Sequence, residues 1–558
     1  MKILLATLHA KYVHSSLALP YLAAACADLA GVELQILELT MNEQQDQLLA
    51  RLVAAQADVV LFSCYIWNTE LTLKLASDLK QLEPHSFIAL GGPEVSFGSF
   101  ELMVRNLAID CIVRGEGEAS CRELIVALRD RLPLEEIAGI TFREGDEVIA
   151  NPEREVMAEL DQAPSPFAAG LVDLSKPLVY YETSRGCPFS CAFCLSSIER
   201  GVRSFSFARI ESDLRLLMEQ GAQTVKLVDR TFNYDAARAN RIWRLIMEQK
   251  PKSTFHFEIA AELLTDENLA LLAEVPPGQF RFEIGVQSGG EATLAKVERK
   301  SSLVDLFGKV RRLKAETRVT VHLDLVAGLP GEGFDGFLDS LQGLLDLAPD
   351  HVQVEPLKVL KGTAMRGIAR KEKYAYAEAA PYKILRTPWL SYGEIRRIEG
   401  ISRLLDQVYN SGRFATTLAV LAEGAPLSRS FAALAEHFEE RAIAASISLP
   451  VLFDAIWGFG EAALGEAERE RLRDALCYDY CLTGYPGGAR PGFFEMQPEP
   501  AEKGAPEGLA PAGKDERVRY HKRSFARDYR QSPWPEVQTL ITFVYRSAPG
   551  AGLRVETF

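Results

Sequence analysis

Short β-rich apolar runs recur along the first two thirds of this chain, each separated from the next by enough residues for one helix. That alternation limits the fold more than any single residue does. From Met1 to about Leu128 the runs are Lys2 to Thr7, Val32 to Leu37, Asp58 to Phe62, Phe87 to Leu90 and Ile109 to Val113; helical periodicity fills the gaps, as in Ser16 to Leu29 and Thr69 to Gln81. The pattern predicts an α/β fold, a doubly wound, Rossmann-like parallel sheet over residues 1–150. A small strand pair, Gly139 to Arg143 and Glu147 to Ala150, leads into a Pro-punctuated linker from Asn151 to Leu171, and the boundary is set by about residue 175. Six further runs follow: Leu178 to Thr183, Thr224 to Val228, Thr254 to Ala260, Arg281 to Val286, Val319 to Val326 and Val352 to Val359. They predict a partial (β/α)6 barrel over residues 176–370, with its site at the carboxyl ends of the strands.

Residues 371–558 read as a mostly helical extension, with helices at Ile395 to Tyr409, Thr416 to Leu421, Phe431 to Ala444 and Ala462 to Leu476. Tyr485 through Lys514 is rich in Pro, Gly, Ala and Glu and reads as a mobile loop. Val537 to Tyr545 and Leu553 to Phe558 read as a strand pair. The extension is expected to lie over the barrel mouth.

The net charge of −14 is spread along 558 residues, which gives no sign of a nucleic-acid surface. No apolar stretch approaches the ~20 residues of a membrane span. His9, Lys11 and His14 interrupt the apolar start where a signal peptide would continue, so a reducing cytoplasm is expected. Six of the nine cysteines are scattered and read as small buried hydrophobes. Cys477 and Cys481 share a helix face, but two ligands do not make a metal site.

The other three are Cys187, Cys191 and Cys194, spaced CxxxCxxC directly after the first barrel run. Three thiolates can hold three corners of a 4Fe-4S cluster and leave the fourth iron open. Zinc is the competing reading, but it would want a fourth Cys or His at short range, and the flanks are Arg185, Gly186, Ser196 and Ser197. With Phe193 just before the third cysteine, the motif resembles that of the radical S-adenosylmethionine (radical SAM) superfamily. The resemblance implies that the open iron chelates SAM, whose one-electron cleavage gives a 5'-deoxyadenosyl radical.

Four loops at the carboxyl ends of the first five runs carry a second resemblance: Thr7 to Ser16, Ser63 to Asn68, Gly91-Gly-Pro-Glu94 and Arg114-Gly-Glu-Gly-Glu118. Ahead of the cysteine motif they are similar to the cobalamin-binding domain of cobalamin-dependent radical SAM enzymes. The implied cobalamin contacts are Thr7, His9, Ser63, Tyr65, Trp67, Asn68, Gly91, Gly92, Gly115 and Glu116. The DxHxxG motif is absent, so cobalamin is expected to bind without a lower-face histidine, over Trp67 and its neighbours Tyr65 and Asn68. The alternative for Trp67 is an ordinary packed indole.

The same resemblance implies SAM contacts at strand ends. Asp229 and Arg230 would meet the methionine end, unless either caps the next helix. Glu283 and Gln287 share one side of a strand. Asp324, in a stretch similar to the family's DLxxGLPGE, would hold the ribose; Gly328 and Gly331 would allow close approach of the adenosyl group. Phe193 and backbone groups near Val359 and Leu360 would meet the adenine.

The function implied is a cobalamin-dependent radical SAM enzyme, a methyltransferase acting on an unactivated carbon. No residue is singled out as catalytic. Radical rearrangement without methyl transfer and a non-catalytic cobalamin or redox sensor are the alternatives. A tRNA methylthiotransferase would need three more N-terminal cysteines, and only Cys64 is well placed. The substrate is expected to be a small molecule or peptide, and the electron donor a flavodoxin or ferredoxin.

Overall fold

The computed structural model describes residues 1–198, 201–444, 447–497, 506, 508–513, 516–548 and 552–558. The N-terminal strands are β1 (Lys2–His9), β2 (Glu33–Thr40), β3 (Val59–Ser63), β4 (Phe87–Gly91) and β5 (Cys111–Val113), followed by β6 (Ile140–Glu144) and β7 (Glu147–Ala150). They form one sheet in the order β2-β1-β3-β4-β5-β6-β7. The first five are parallel, as predicted. The β6 and β7 pair is not separate from them: it extends the sheet antiparallel, with Phe142 opposite Cys111 and both buried. The direction in which strands are added reverses between β1 and β3, so the switch point where such sheets bind ligands lies at the ends of those two parallel strands.

The second sheet contains β8 (Leu178–Tyr181), then, after the hairpin β9 (Ser184–Cys187) and β10 (Gly201–Ser204), β11 (Thr224–Leu227), β12 (Thr254–Ile259), β13 (Phe280–Gln287), β14 (Thr320–Ala327) and β15 (His351–Pro356). Its order is β15-β14-β13-β12-β11-β8, all parallel. This is the predicted six-stranded partial barrel, open between β15 and β8. The period-2 burial of the strands separates two faces. Phe255, Phe257, Phe280, Phe282, Val321 and Leu323 are buried, and Trp243 of the helix Ala236–Gln249 packs on Phe257 and Phe282. Alternate residues face the lumen, and these are polar: Lys226, His256, Glu258, Glu283, His322 and Asp324. A closed barrel is usually filled by branched apolar side chains.

The extension brings its first segment to the strand ends, where Ile384 and Thr387 cover Gly328, and sets its first helix beside the barrel edge. Its helix Tyr392–Leu404 packs beside β15, the free edge of the barrel sheet, with Ser402 donating to the Val354 carbonyl. Asn410 completes that edge: its side chain accepts from the Val352 amide and donates to the Val352 carbonyl. Among the described residues, five α-helices from Tyr392 onward precede a three-stranded antiparallel sheet, β18 (Arg517–Phe525), β19 (Thr539–Ser547) and β20 (Arg554–Thr557), and all follow a two-stranded ribbon, β16 (Ala375–Tyr376) and β17 (Ile384–Arg386). The sequence reading found the last two strands and missed β18, whose RVRYHKRSF run is too basic to look apolar. Much of the loop read as mobile lies outside the described residues. Its first part is anchored, because Phe493 and Phe494 are buried.

The N-terminal loops meet the barrel at its open side. The loop after β1 lies along β8, with His14 Nδ1 2.7 Å from the Tyr180 hydroxyl and Ser15 donating to the Leu178 carbonyl. Across the gap, Glu94 binds Lys361 at 2.8 Å and accepts from Tyr382, and the Phe97 ring covers Gly362. The first domain's loops thus fill the missing wall of the barrel. No helix among the described residues is long and apolar enough to cross a membrane.

Candidate functional site

Cys187 ends β9, Cys191 and Cys194 lie in the turn that follows, and all three are free thiols. Their sulfurs do not all lie within 4.8 Å of one another. Zinc–thiolate bonds of ~2.3 Å would bring ligand sulfurs to ~3.8 Å, so the triad is too open for one zinc ion and suits a larger cluster. Burial pushes the Cys191 thiol up, opposed by the Arg299 guanidinium. Arg299 was not found from sequence. Its guanidinium lies 3.9 Å from Cys191 Sγ, stacks 4.7 Å over Phe189 and donates to the Gly285 carbonyl at 3.1 Å. It pairs with Glu262 at 3.4 Å, directly after β12, yet Arg299 Nε and Glu262 Oε2 are buried without hydrogen-bond partners. Beside the triad, an arginine and a carboxylate with spare bonding capacity suit the two ends of an amino-acid zwitterion. Arg299 lies in the loop between the helices Glu291–Lys296 and Leu303–Glu316, and a loop arginine carries no sequence signal of that role.

The residues read as SAM contacts separate into two groups. Gln287 sits at a bulge of β13 with φ +72, its amide folded over Gly285, on the same side of the strand as Arg299's bond. Arg230 is exposed near the mouth, 3.9 Å from Glu258. Phe193 is half-buried against the core, and Glu283 and Asp324 face the lumen. Asp229 is different: fully buried, it accepts from the Thr183 amide and the Thr183 and Ser184 hydroxyls, with Arg238 3.8 Å away. Those bonds tie β8 to β11 and leave the carboxylate closed to a ligand; nor does it cap the helix, a role taken by Asp235. The face of Gly328 is covered by Ile384 and Thr387, and its carbonyl accepts from Tyr374, so the chain's own segment makes the close approach that an adenosyl group was expected to make. Gly331 is likewise crowded by Lys296. The Leu360 amide donates to the Lys358 carbonyl and the Val359 amide to the Tyr382 carbonyl.

At the switch point, Thr7 donates to the Ser63 carbonyl, and buried Asn68 donates to the Leu8 and Ser63 carbonyls while accepting from the Tyr65 amide. This fixes Tyr65 and Trp67 as a stack, 4.5 Å apart and 2° from parallel. Trp67 is 44% exposed and its Nε1 donates to the Leu8 carbonyl, so it is an aromatic platform and not a packed core indole. Tyr180, opposite lumen-facing Lys226 in register, meets His14 of the loop after β1, so this end of the first sheet lies against the lumen wall. Gly91 ends β4, and at Gly92, with φ +103, a side chain would strike the Cys64 carbonyl. Gly115 has open space over it.

Two expected cobalamin contacts point elsewhere. His9 is buried against Glu38 of β2, 3.4 Å away. Glu116 accepts from Arg185, Arg203 and the Met157 amide. Arg185 also binds Glu118 at 2.6 Å and Glu182 at 2.7 Å, so a buried ionic network joins the first domain to the segment that carries the cysteines. It holds Arg185 charged; Glu116 is pushed below the usual carboxylate range by its arginines despite burial.

Lower in the lumen, Lys226 lies 2.9 Å from Glu283 and 3.7 Å from Glu258. His256 Nε2 lies 2.9 Å from Glu283, and His322 Nε2 3.0 Å from Asp324. Burial raises Glu258 and Asp324 and lowers His256 and His351, the last to about 4. Glu283 is held well below the usual range by His256 and Lys226 against its burial.

Three parts of the chain match known families: residues 3–125 the B12 binding domain, residues 181–343 the radical SAM superfamily, and residues 371–512 a family described as a protein of unknown function (DUF4080). The chain is 27% identical over 320 residues to the 2-(S-pantetheinyl)-carbapenam-3-carboxylate methyltransferase of Streptantibioticus cattleyicolor, covering 52% of this chain and 45% of that protein. It is 25% identical over 341 residues to the cobalamin-dependent radical SAM methyltransferase TokK of Streptomyces tokunonensis, covering 57% and 49%. It thus spans about half the length of these curated relatives. Among solved structures, the cobalamin-dependent S-adenosylmethionine radical enzyme OxsB with aqua-cobalamin and S-adenosylmethionine bound superposes with a TM-score of 0.59 at 17% identity, over 86% of this chain and 78% of that one. That likeness is one of fold.

Proposed function

This chain belongs to the radical SAM superfamily and carries a B12-binding domain ahead of its barrel, and we propose that it transfers a methyl group to an unactivated carbon of a small-molecule or peptide substrate. The observation that supports the reading is the way loops of the first domain pack on the barrel's open side, His14 on Tyr180 and Glu94 on Lys361, while Arg185 ties the same domain to the cysteine loop.

Cys187, Cys191 and Cys194 would hold a 4Fe-4S cluster. Arg299, Glu262 and Gln287 would hold the methionine part of SAM, with Asp324 toward the ribose; Tyr65, Trp67, Gly92 and Gly115 would hold cobalamin. When bound, these groups supply reductive cleavage of SAM to a carbon-centred radical and a methyl carrier for the radical formed on substrate. The chain's own work is placement. Arg299 adds positive charge beside Cys191 and leaves Nε for a carboxylate. The bulge at Gln287 turns its amide inward, and the Arg185 network fixes the distance between the two domains. The loops after β1 and β4 would close the barrel's open side against water, which a reactive radical requires. A flavodoxin or ferredoxin in a reducing cytoplasm would supply the electron.

The test is anaerobic reconstitution with iron, sulfide and cobalamin, followed by incubation with a low-potential reductant and methyl-labelled SAM. The expected protein holds about four irons and one cobalamin per chain, and forms S-adenosylhomocysteine together with 5'-deoxyadenosine. Formation of 5'-deoxyadenosine with no S-adenosylhomocysteine would replace methyl transfer by rearrangement. Absence of any SAM cleavage would favour a sensor.

A further inference from the structure

The barrel lumen holds a group of side chains that the proposed reaction does not use. One ligand atom each of His256, Glu283 and His322 lies within 4.8 Å of the others, the only such group of His, Cys, Asp or Glu among the described residues. They come from three adjacent strands, β12, β13 and β14, with Glu283 directly opposite His322 in register. All three side chains are 14% to 20% exposed. Nε2 of His256 and of His322, and Asp324 Oδ1 beside the latter, are buried and form no hydrogen bond, although each lies within 3.0 Å of an oppositely disposed group. Imidazole nitrogens held this close to carboxylates but out of hydrogen-bond alignment call for an explanation, and a shared ion is one.

We infer that His256, Glu283 and His322 bind one divalent transition-metal ion inside the barrel. Two imidazoles and one carboxylate are the ligand set that suits iron(II), zinc or manganese and leaves coordination positions open. The 2.9 Å between His256 Nε2 and Glu283 Oε2 matches neighbouring ligands on one metal with bonds of ~2.1 Å. Lys226 donates to Glu283 at 2.9 Å and would fix the ligating carboxylate, as outer partners of metal ligands do. Asp324 stands beside His322, 3.0 Å away, and orients its ring. The open positions would face the lumen, where they could take an oxygen or nitrogen donor of the substrate. The site does not depend on the methyl-transfer reading.

The test uses the full chain with Cys187→Ser, Cys191→Ser and Cys194→Ser, stripped of metal and titrated with Co2+, without SAM or cobalamin. The expected result is one tightly bound Co2+ per chain, with visible bands of nitrogen and oxygen ligation and no thiolate charge-transfer band. His256→Ala and His322→Ala should each weaken binding at least about tenfold. No stoichiometric uptake, or uptake unchanged by both histidine substitutions, would overturn the site. Should the cysteine-free chain fail to fold, cluster-loaded protein is compared with its His322→Ala form by elemental analysis after zinc loading. About one zinc beyond the iron, lost in the variant, supports the inference, and equal zinc in both overturns it. Because metal uptake alone is read, failure here leaves the methyl-transfer proposal standing, and the reverse also holds.

Discussion

At the scale of single residues, what decides a role is the partner a side chain finds. Asp229 and Glu262 are both acids that follow barrel strands, and only Asp229 drew attention in the sequence, because of its place in Val228-Asp-Arg. The fold spends it on Thr183 and Ser184 and leaves Glu262 with a spare oxygen beside Arg299. Removing one partner of a buried ion pair strands the other charge. Arg299→Met should therefore cost about 3 kcal/mol in urea unfolding of the cofactor-free protein. The double variant Arg299→Met with Glu262→Met should cost less than the single, and equal losses would mean the pair is not coupled. The cysteine triad was legible because its spacing alone states its use; Arg299 was not, because it lies 105 positions beyond Cys194 in sequence and reaches the triad only in three dimensions.

At the scale of elements, the strands of both sheets were readable from apolar runs, while the contacts between helices in the extension were not. Asp479, on the helix Glu466–Thr483, accepts from the Thr416 and Thr417 amides and the Thr417 hydroxyl at the start of the helix Ala415–Gly424. Burial pushes its carboxyl up to about 6 from an ordinary value of 3.8, against those bonds. The folded form thus holds its proton more tightly than the unfolded one. That contribution is full below about pH 4, falls as the pH rises to about 6, and is flat above. Asp479→Asn removes this slope. Its stability relative to the parent should rise by about 2 kcal/mol between pH 4 and pH 7. Chemical denaturation at the two pH values checks it, and parallel profiles for parent and variant would refute the assignment. Nothing in the Asp479 neighbourhood of the sequence announces this cap, because its partners lie 62 and 63 positions away.

For the whole molecule, the decisive feature is a six-stranded barrel completed by loops of another domain. Arg185 carries much of that junction, facing Glu116, Glu118 and Glu182. Arg185→Met would leave Glu118 and Glu182 without their cation, while Glu116 keeps Arg203, so it should cost about 3–5 kcal/mol and hasten proteolysis in the linker at residues 151–171. A variant as resistant as the parent would show that the junction is held elsewhere, for instance by Glu94 and Lys361. By itself the sequence determined the two parallel sheets and the thiolate triad, because strand periodicity and ligand spacing are local properties that no distant contact can rewrite. Only the tertiary structure decided that Glu116 serves as a staple, that Trp67 stands exposed on Tyr65, and that His256, Glu283 and His322 converge. Those roles depend on which side chains meet across strands and domains, and charge pairing and burial set them after the chain has closed.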